Sequence, residues 1–488
     1  MPDLNEILTP IKSCLLSMAM AGLFFNACQQ IDSKDDLPNV VIIHADDLGW
    51  KDLGYMGSNF YETPNIDKLA SEGLIFTNAY AAAANCAPSR ACLMTGQNTP
   101  RHGIYTVTPS ARGDKRTRKL IPVANTDSIN PNNLTLAHLF KKRNYRTCAI
   151  GKWHLSSTPE NNGFDINIGG DMRGNPGHDG YFAPYNIANL SQGPRGEHLT
   201  DRLTSEAMQF IRQNPSKNFF LYLSYYSVHT PIQGKPALVE KYKKKKGSEG
   251  QNHPVYAAMV ETLDTNVGKL LDEIDQLKTN KETIIIFISD NGGIRKISHQ
   301  TPLRAGKGSY YEGGIRVPMI IKWDGKIKPG KTDVPVVNYD LFPTIQNILG
   351  VTDVNKNLDG EDLRPVLENE SLPKRPLIWH FPIYLQSYGG LKDQSRDPLF
   401  RTRPGSVIRL EKWKLHKYYE DNQTELYNLK QDPGEQHNLV SEHSNKTTEL
   451  LQLLNQQLED LEAPIPQRKN PHYDAEYEVS QIQKITHN

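Results

Sequence analysis

Val40-Val41-Ile42-Ile43-His44-Ala45-Asp46-Asp47-Leu48-Gly49 opens on four consecutive β-favouring apolar residues and closes on two adjacent carboxylates. A strand that is apolar at every position, rather than at alternate ones, is buried on both faces, as in a parallel sheet covered by helices. The run Thr283 to Ser289 (TIIIFIS) has the same character and ends in Asp290-Asn291-Gly292-Gly293. Between these two strands the patterns alternate. Helices are predicted at 63–73, 135–145, 199–213 and 254–278, and strands at 146–150 and 218–226. That alternation predicts an α/β fold, a large mixed and mostly parallel sheet flanked by helices. Beyond Arg375 the spacing changes to short strands at 406–410 and 413–419, followed by a helix at 447–461. These predict a smaller C-terminal antiparallel subdomain. We therefore read 38–370 as the main domain, 371–462 as the subdomain and 463–488 as a polar, Pro-containing tail that wraps or hangs loose.

In open α/β sheets ligands sit beyond the carboxyl ends of the strands, which is where Asp46, Asp47, Asp290 and Asn291 fall. A turn with a helix cap accounts equally for Asp46 and Asp47 alone. Other strand ends carry Gly151-Lys152-Trp153-His154 and Ser227-Val228-His229-Thr230-Pro231, and Lys307 lies in the glycine-rich Arg304 to Ser309 loop. Singly, each has a bland explanation, a structural histidine or a surface lysine. Together the acidic positions offer only oxygen ligands, which suit a hard cation, Ca²⁺ or Mg²⁺, better than zinc. Lys152, Lys307 and Arg90 add positive charge, and His154 and His229 are placed for proton transfer.

Cys86-Ala87-Pro88-Ser89-Arg90-Ala91-Cys92-Leu93-Met94-Thr95-Gly96 puts a thiol just before a helix-compatible run. Proline suits a first helical turn, so Cys86 is expected at a helix N-terminus, where an anion is favoured and Arg90 reaches back. Cys92 and Cys148 read as buried small hydrophobes. The Gly-, Asn- and Pro-rich stretch 165–194 carries Arg173, His178 and Tyr181, which we take as candidates for substrate selectivity.

The 488 residues carry 23% charged side chains and a formal net charge of +1, which gives no global attraction to nucleic acid. Positive charge is local, at 112–119 and 241–246, and reads either as a solvated face or as contact with a polyanionic substrate. Residues 1–28 read as an export signal: Lys12 precedes a short apolar run ending at Phe25-Asn26-Ala27-Cys28. The box resembles a lipoprotein signal with Cys28 as the lipidated mature N-terminus; a simple secretory signal cut nearby is the alternative. Residues 29–37 then form a linker, and the protein is expected in the periplasm or on the cell surface.

The motifs together resemble those of the formylglycine-dependent sulfatases, the arylsulfatase-like family within the alkaline phosphatase superfamily. Cys86-x-Pro88-Ser89-Arg90 with Leu93 to Gly96 is similar to the family signature, and Tyr145-x-Thr147 to His154 to its second signature. Ala45 to Gly49, Ser289 to Gly293, Gly306-Lys307-Gly308 with Glu312-Gly313-Gly314, and Glu425 to Leu429 extend the match over roughly residues 38–440. Asn85 and Asn144 depart from the usual pattern, Asn144 replacing a glycine, and Asn tolerates positive φ better than most residues.

The resemblance implies an alkaline phosphatase-like fold and hydrolysis of a sulfuric ester of a carbohydrate through a covalent sulfate intermediate on formylglycine. Cys86 would be the precursor of that formylglycine, made by a formylglycine-generating or anaerobic sulfatase-maturating enzyme. It further implies one Ca²⁺ held by Asp46, Asp47, Asp290, Asn291 and the modified Cys86. His229 would protonate the leaving alcohol, Lys307 would hold sulfate oxygens, His154 would accept a proton during sulfate release, and Arg90 and Lys152 would steady the formylglycine. Two alternatives remain at this point: a phosphate or phosphonate ester hydrolase on the same fold, and a non-catalytic glycan-binding surface protein.

Overall fold

The computed structural model describes residues 37–276, 282–352 and 357–487. The export signal, Cys28 and nearly all of the linker lie outside the described residues. Among the described residues sixteen strands follow one another. They are β1 (Asn39–Ala45), β2 (Leu74–Phe76), β3 (Ala79–Tyr80), β4 (Arg146–Gly151), β5 (Ile166–Ile168), β6 (Phe219–Ser224), β7 (Thr283–Ser289) and β8 (Met319–Trp323). β9 (Gly330–Thr332), β10 (Val336–Val337), β11 (Leu377–Phe381), β12 (Leu385–Gln386), β13 (Phe400–Thr402), β14 (Gly405–Leu410), β15 (Trp413–Tyr418) and β16 (Thr424–Asn428) complete them.

The principal sheet has eight strands in the order β5-β4-β6-β1-β7-β8-β2-β9. β4, β6, β1 and β7 are neighbours and mutually parallel, while β8 runs antiparallel to β7. β1 is buried at every position, as its unbroken apolar run predicts. Side chains alternate between the two faces. Val41, Ile43, Leu221, Leu223, Ile285 and Phe287 pack with buried residues of the helices Pro64–Glu72, Leu199–Arg212 and Pro254–Gln276. On the other parity Phe220 stacks on Phe140 of the helix Leu136–Lys142 at a centroid distance of 4.1 Å. The sheet is therefore covered on both faces, and its strand ends are its accessible edge.

Several boundaries moved. The predicted helix at 135–145 is shorter, ending at Lys142, because Asn144 takes φ 61° and turns the chain into β4. Its replacement of glycine is thus accommodated. β11, β14, β15 and β16 form the expected small antiparallel sheet. Leu450, Leu454 and Leu458 of the helix Ser444–Asp460 lie four residues apart on one helix face and cover its Ile378, Ile408, Leu415 and Leu426.

Of the two expectations for the tail, it packs on the body rather than hanging loose, and it carries a helix that was not expected. Residues 463–488 contain the helix Ala475–Thr486, capped by Asp474, whose carboxylate accepts from the Tyr477 amide at 2.9 Å. Arg403 pairs with the buried Glu478 at 2.8 Å, and the Arg116 guanidinium lies 3.5 Å from the Tyr477 ring centroid. The anchor is ionic and cation–π rather than an apolar stripe, so hydrophobic periodicity gave no sign of it.

Pro38–Asn488 forms one compact unit, and a buried charge cluster joins its two sheets. Lys414 on β15 reaches Glu312 and Glu435, each at 2.9 Å, with all three side chains fully buried. Glu312 also accepts from the Tyr80 hydroxyl at 2.6 Å. Burial disfavours the Glu312 carboxylate, yet Lys414, Arg316 and Arg409 outweigh it and bring its pKa down to about 2. Lys414→Met takes the shared ammonium from two buried carboxylates, leaving Glu312 to Arg316 and Arg409 and Glu435 to His416, and we expect a loss of about 3 kcal/mol in denaturant unfolding. The pH dependence has a definite sign. The folded value lies below the ordinary 4.5, so this contribution is complete above that pH and is lost as pH falls towards 2.

Candidate active site

Four adjacent parallel strands deliver the site from their carboxyl ends. Asp46 and Asp47 follow β1, Lys152 and His154 follow β4, His229 follows β6, and Asp290 and Asn291 follow β7. Cys86 begins the helix Cys86–Thr95, with extended Asn85 as its cap residue, so the thiol sits at a helix N-terminus as its sequence predicts. The Asn85 amide donates to the Thr106 hydroxyl at 2.9 Å. Asp47 and His154 hold φ of 61° and 64°. Such left-handed backbone at non-glycine residues costs energy and concentrates where side-chain direction matters.

The Cys86 Sγ lies 3.4 Å from an Asp46 carboxylate oxygen, 3.8 Å from one of Asp47 and 3.3 Å from the Lys307 Nζ. Lys307 donates to Asp47 at 2.8 Å, and Lys152 to Asp46 at 2.6 Å. Arg90 grips Asp290 through Nε at 2.9 Å and Nη2 at 2.8 Å, and its Nη1 donates to the Lys152 carbonyl at 3.3 Å. Three buried carboxylates are thus matched by three buried cations. His229 Nδ1 is 2.7 Å from the Thr230 carbonyl, which makes it the protonated nitrogen and turns Nε2 to within 3.7 Å of Asp47.

Burial pushes the Cys86 thiol well above its ordinary range, so the unmodified residue is a protonated thiol, not a thiolate nucleophile. Burial likewise raises Asp46 to about 8 despite Lys152. Asp47 and Asp290 are held below the usual carboxylate range because Lys307 and Arg90, respectively, overcome their burial. Burial and then Lys307 bring His229 down to about 3, and burial with Lys152 lowers His154.

Donor atoms of Asp46, Asp47, Cys86 and His229 all lie within 4.8 Å of one another, a grouping that can hold a metal ion. Asp290 joins by accepting the Asp47 amide at 3.1 Å. Asn291 donates its amide to Asp47 at 2.8 Å, while its buried side-chain oxygen has no hydrogen-bond partner. An orphaned buried oxygen beside three carboxylates fits a hard, oxygen-loving cation. A surplus positive charge would also offset the raised pKa of Asp46.

Above Cys86 opens a cavity of about 400 Å³, with His154, His229 and Lys307 in its wall. The three residues expected to select substrate are placed elsewhere. Tyr181 is fully buried, and its hydroxyl donates to the Tyr226 and His229 carbonyls at 2.5 and 2.8 Å, so it holds the histidine loop from behind. Arg173 pairs with Asp171 at 2.7 Å, and His178 is exposed outside the cavity wall. The same Gly-rich stretch lines the cavity through Met172, Gly174 and Asn175 instead. Gly174 is pressed against the catalytic-side imidazole, since a Cβ there would lie 2.5 Å from His154 Cε1. Sequence reasoning missed Tyr388 and Arg401, which reach the cavity from the C-terminal region, and Asp127. None of the three follows a buried strand or falls in a motif. Of the two basic runs, 112–119 contributes Arg112 to the cavity wall. In 241–246, Lys241, Lys243 and Lys245 pair with Glu62, Glu240 and Glu261 on the surface.

A family model described as sulfatase matches residues 38–351. A second, described as N-sulphoglucosamine sulphohydrolase, C-terminal, matches residues 306–464. A sulfatase of Formosa agariphila is 32% identical, with 92% of each chain covered. Human arylsulfatase A is 31% identical over 86% of each chain. Among solved structures, Ps i-CgsB in complex with k-i-k-neocarrahexaose superposes with a TM-score of 0.69 at 29% identity, covering 86% of this chain and 92% of that one.

Proposed function

Because the chain belongs to the sulfatase family, we propose that the sulfuric ester it hydrolyses is carried on a carbohydrate and that Cys86 acts after conversion to formylglycine. One observation carries the second part. The thiol lies in the midst of oxygen ligands and ammonium groups, yet burial keeps it protonated, so it contributes no nucleophile in its encoded form. Formylglycine supplies a hydrated aldehyde, hence an oxygen nucleophile that suits a hard cation. Ca²⁺ would be held by Asp46, Asp47, Asp290, Asn291 and the modified Cys86, and when bound it supplies Lewis-acid stabilisation of sulfate oxygens.

The chain's own residues account for the rest. Lys307, at 3.3 Å from Cys86 Sγ, meets the negative charge of the sulfate group. Arg90 and Lys152 fix the Asp290 and Asp46 carboxylates rather than touching the thiol. His229 presents Nε2 to the cavity and delivers a proton to the leaving alcohol oxygen. Its low pKa comes from burial and then Lys307, and a bound sulfate monoanion beside Lys307 removes part of that repulsion. His154 has a buried Nδ1 without a hydrogen-bond partner and accepts the proton released when sulfate departs.

The likeness to a carbohydrate-complexed neighbour supports the sugar, and the leader read at 1–28 supports action outside the cytoplasm, with lipidation at Cys28 or a simple secretory cut, while Cys86 is matured by a formylglycine-generating or anaerobic sulfatase-maturating enzyme. Matched aryl sulfate and aryl phosphate test the ester class. The matured protein should favour the sulfate, and a preference for phosphate would replace this reading. Tyr181→Phe removes the hydroxyl that holds the His229 carbonyl, and steady-state kinetics should show kcat lowered about tenfold with little change in KM.

A further inference from the structure

Two arginines in the cavity wall, Arg112 and Arg401, have no part in the hydrolytic chemistry derived above. Arg401 is only 5% exposed. Its Nη1 donates to the Lys307 carbonyl at 2.8 Å and its Nε to the Gln386 carbonyl at 3.0 Å, while its guanidinium lies 3.4 Å from the Tyr388 ring centroid. Arg112 donates to the Val107 and Thr108 carbonyls at 3.0 and 3.2 Å. Neither arginine belongs to an ion pair among the described residues. Burial lowers the pKa of Arg401, with Tyr388 and Asp393 acting against it and Arg112 close enough to add to the lowering. Asp127, the acid in this wall, is exposed and engaged by the Thr108 hydroxyl and by Asn125 at 3.4 Å.

Main-chain carbonyls orient a guanidinium but do not neutralise it, and Asp393, though near enough to act on Arg401, makes no ion pair with it, so the buried guanidinium keeps a demand for an anion in contact. The surrounding structure holds it in place. Gly308, at φ +84°, brings the backbone so close that a Cβ would lie 2.5 Å from Arg401 Nη1. The Tyr388 loop is fixed by Asp393, which accepts from Ser387 Oγ and the Tyr388 amide, both at 2.6 Å. Arg401 is bonded to the main chain of Lys307, whose ammonium faces the sulfate to be cleaved. Both side chains line the same cavity.

We propose that Arg401 and Arg112 form a second anion-binding subsite, which selects carbohydrates bearing a further anionic group, a sulfate or a carboxylate, near the sulfate that is hydrolysed. This rests on the sulfatase reading for the position of the first sulfate. The test uses the full-length Cys86→Ala protein, which binds without turnover, and isothermal titration with sugar-free probes. These are the monosulfates and bis-sulfates of a glycol series from ethylene glycol to hexanediol, together with the sulfate esters of the corresponding hydroxy acids. At least one bis-sulfate should bind tenfold or more tightly than its monosulfate, with the advantage shrinking as salt is added. Arg401→Met and the partly exposed Arg112→Ala, each made in the Cys86→Ala background, should abolish that advantage. The hydroxy-acid sulfates tell whether a carboxylate serves as the second anion. Equal affinities throughout the series, no binding by any bis-sulfate, or an advantage that survives both arginine substitutions would overturn the proposal. Sulfate release from an aryl sulfate by the matured wild type is read separately. Its failure would remove the hydrolase reading while leaving a measured two-anion preference standing.

Discussion

Cys86→Ala should abolish sulfate release, by about 10⁴-fold or more, and leave the fold intact. The magnitude follows from the position of the residue. The Sγ of Cys86 touches both the carboxylate cluster and Lys307, at 3.4 Å from Asp46 and 3.3 Å from the ammonium. On the proposed mechanism, removing the atom removes the precursor of the nucleophile, while cations and histidines remain to bind. Stability should change little. The side chain is small, its partners also hold one another, and Lys307 keeps Asp47 at 2.8 Å. Thermal unfolding unchanged within a few degrees, together with loss of turnover, is the expected pair of results. Cys86→Ser tests the same point from the other side. It restores an oxygen at the position but no aldehyde, and we expect turnover to stay lost in a host whose maturation enzyme acts on cysteine alone.

His229→Ala should cost about 10²–10⁴ in kcat on a carbohydrate sulfate, the usual range for a lost general acid. The loss should be much smaller on an activated aryl sulfate, whose phenolate departs without a proton. This dependence on leaving group separates an acid from a residue that merely packs. Geometry supports the role. Thr230 takes the Nδ1 proton at 2.7 Å, Tyr181 holds the main-chain carbonyl at 2.8 Å, and Nε2 is left facing the cavity. An equal loss on both substrates would return His229 to a structural part, coupled to Asp47 at 3.7 Å.

The parts of this molecule legible in its sequence are those where burial and chemistry coincide. β1 and β7 announce themselves because a strand covered on both faces is apolar through its middle, and the acidic residues just past their ends are the ones aimed into the site. The same logic placed Lys152, His154 and His229 at the ends of β4 and β6. Proline and the adjoining apolar run located the helix that starts at Cys86. Pairing could not be read. That Arg90 would clamp Asp290 and Lys152 would hold Asp46 depends on the order β4-β6-β1-β7, which brings residues from distant segments within hydrogen-bond reach.

The substrate side was the least legible. Tyr181 lies in the right loop but points into the core, where its hydroxyl serves the carbonyls of the histidine loop rather than a substrate. Arg401 and Tyr388 come from β13 and the turn after β12, with no periodicity and no motif, and only the placement of this strand pair beside Lys307 brings them to the cavity. The four-stranded sheet is held by Lys414, Glu312 and Glu435, a charge cluster whose members lie far apart in sequence and so could not be read as one. The C-terminal helix was missed because ionic and aromatic contacts, not apolar spacing, fix it to the body.

The account turns on the chemical state of residue 86. Mass spectrometry of the peptide containing Cys86, taken from a preparation whose sulfate release has been titrated, reads that state directly. The account predicts an aldehyde at that position, seen with its hydrate, in proportion to the active fraction. Full sulfatase activity in protein whose Cys86 is entirely an unmodified thiol would contradict it.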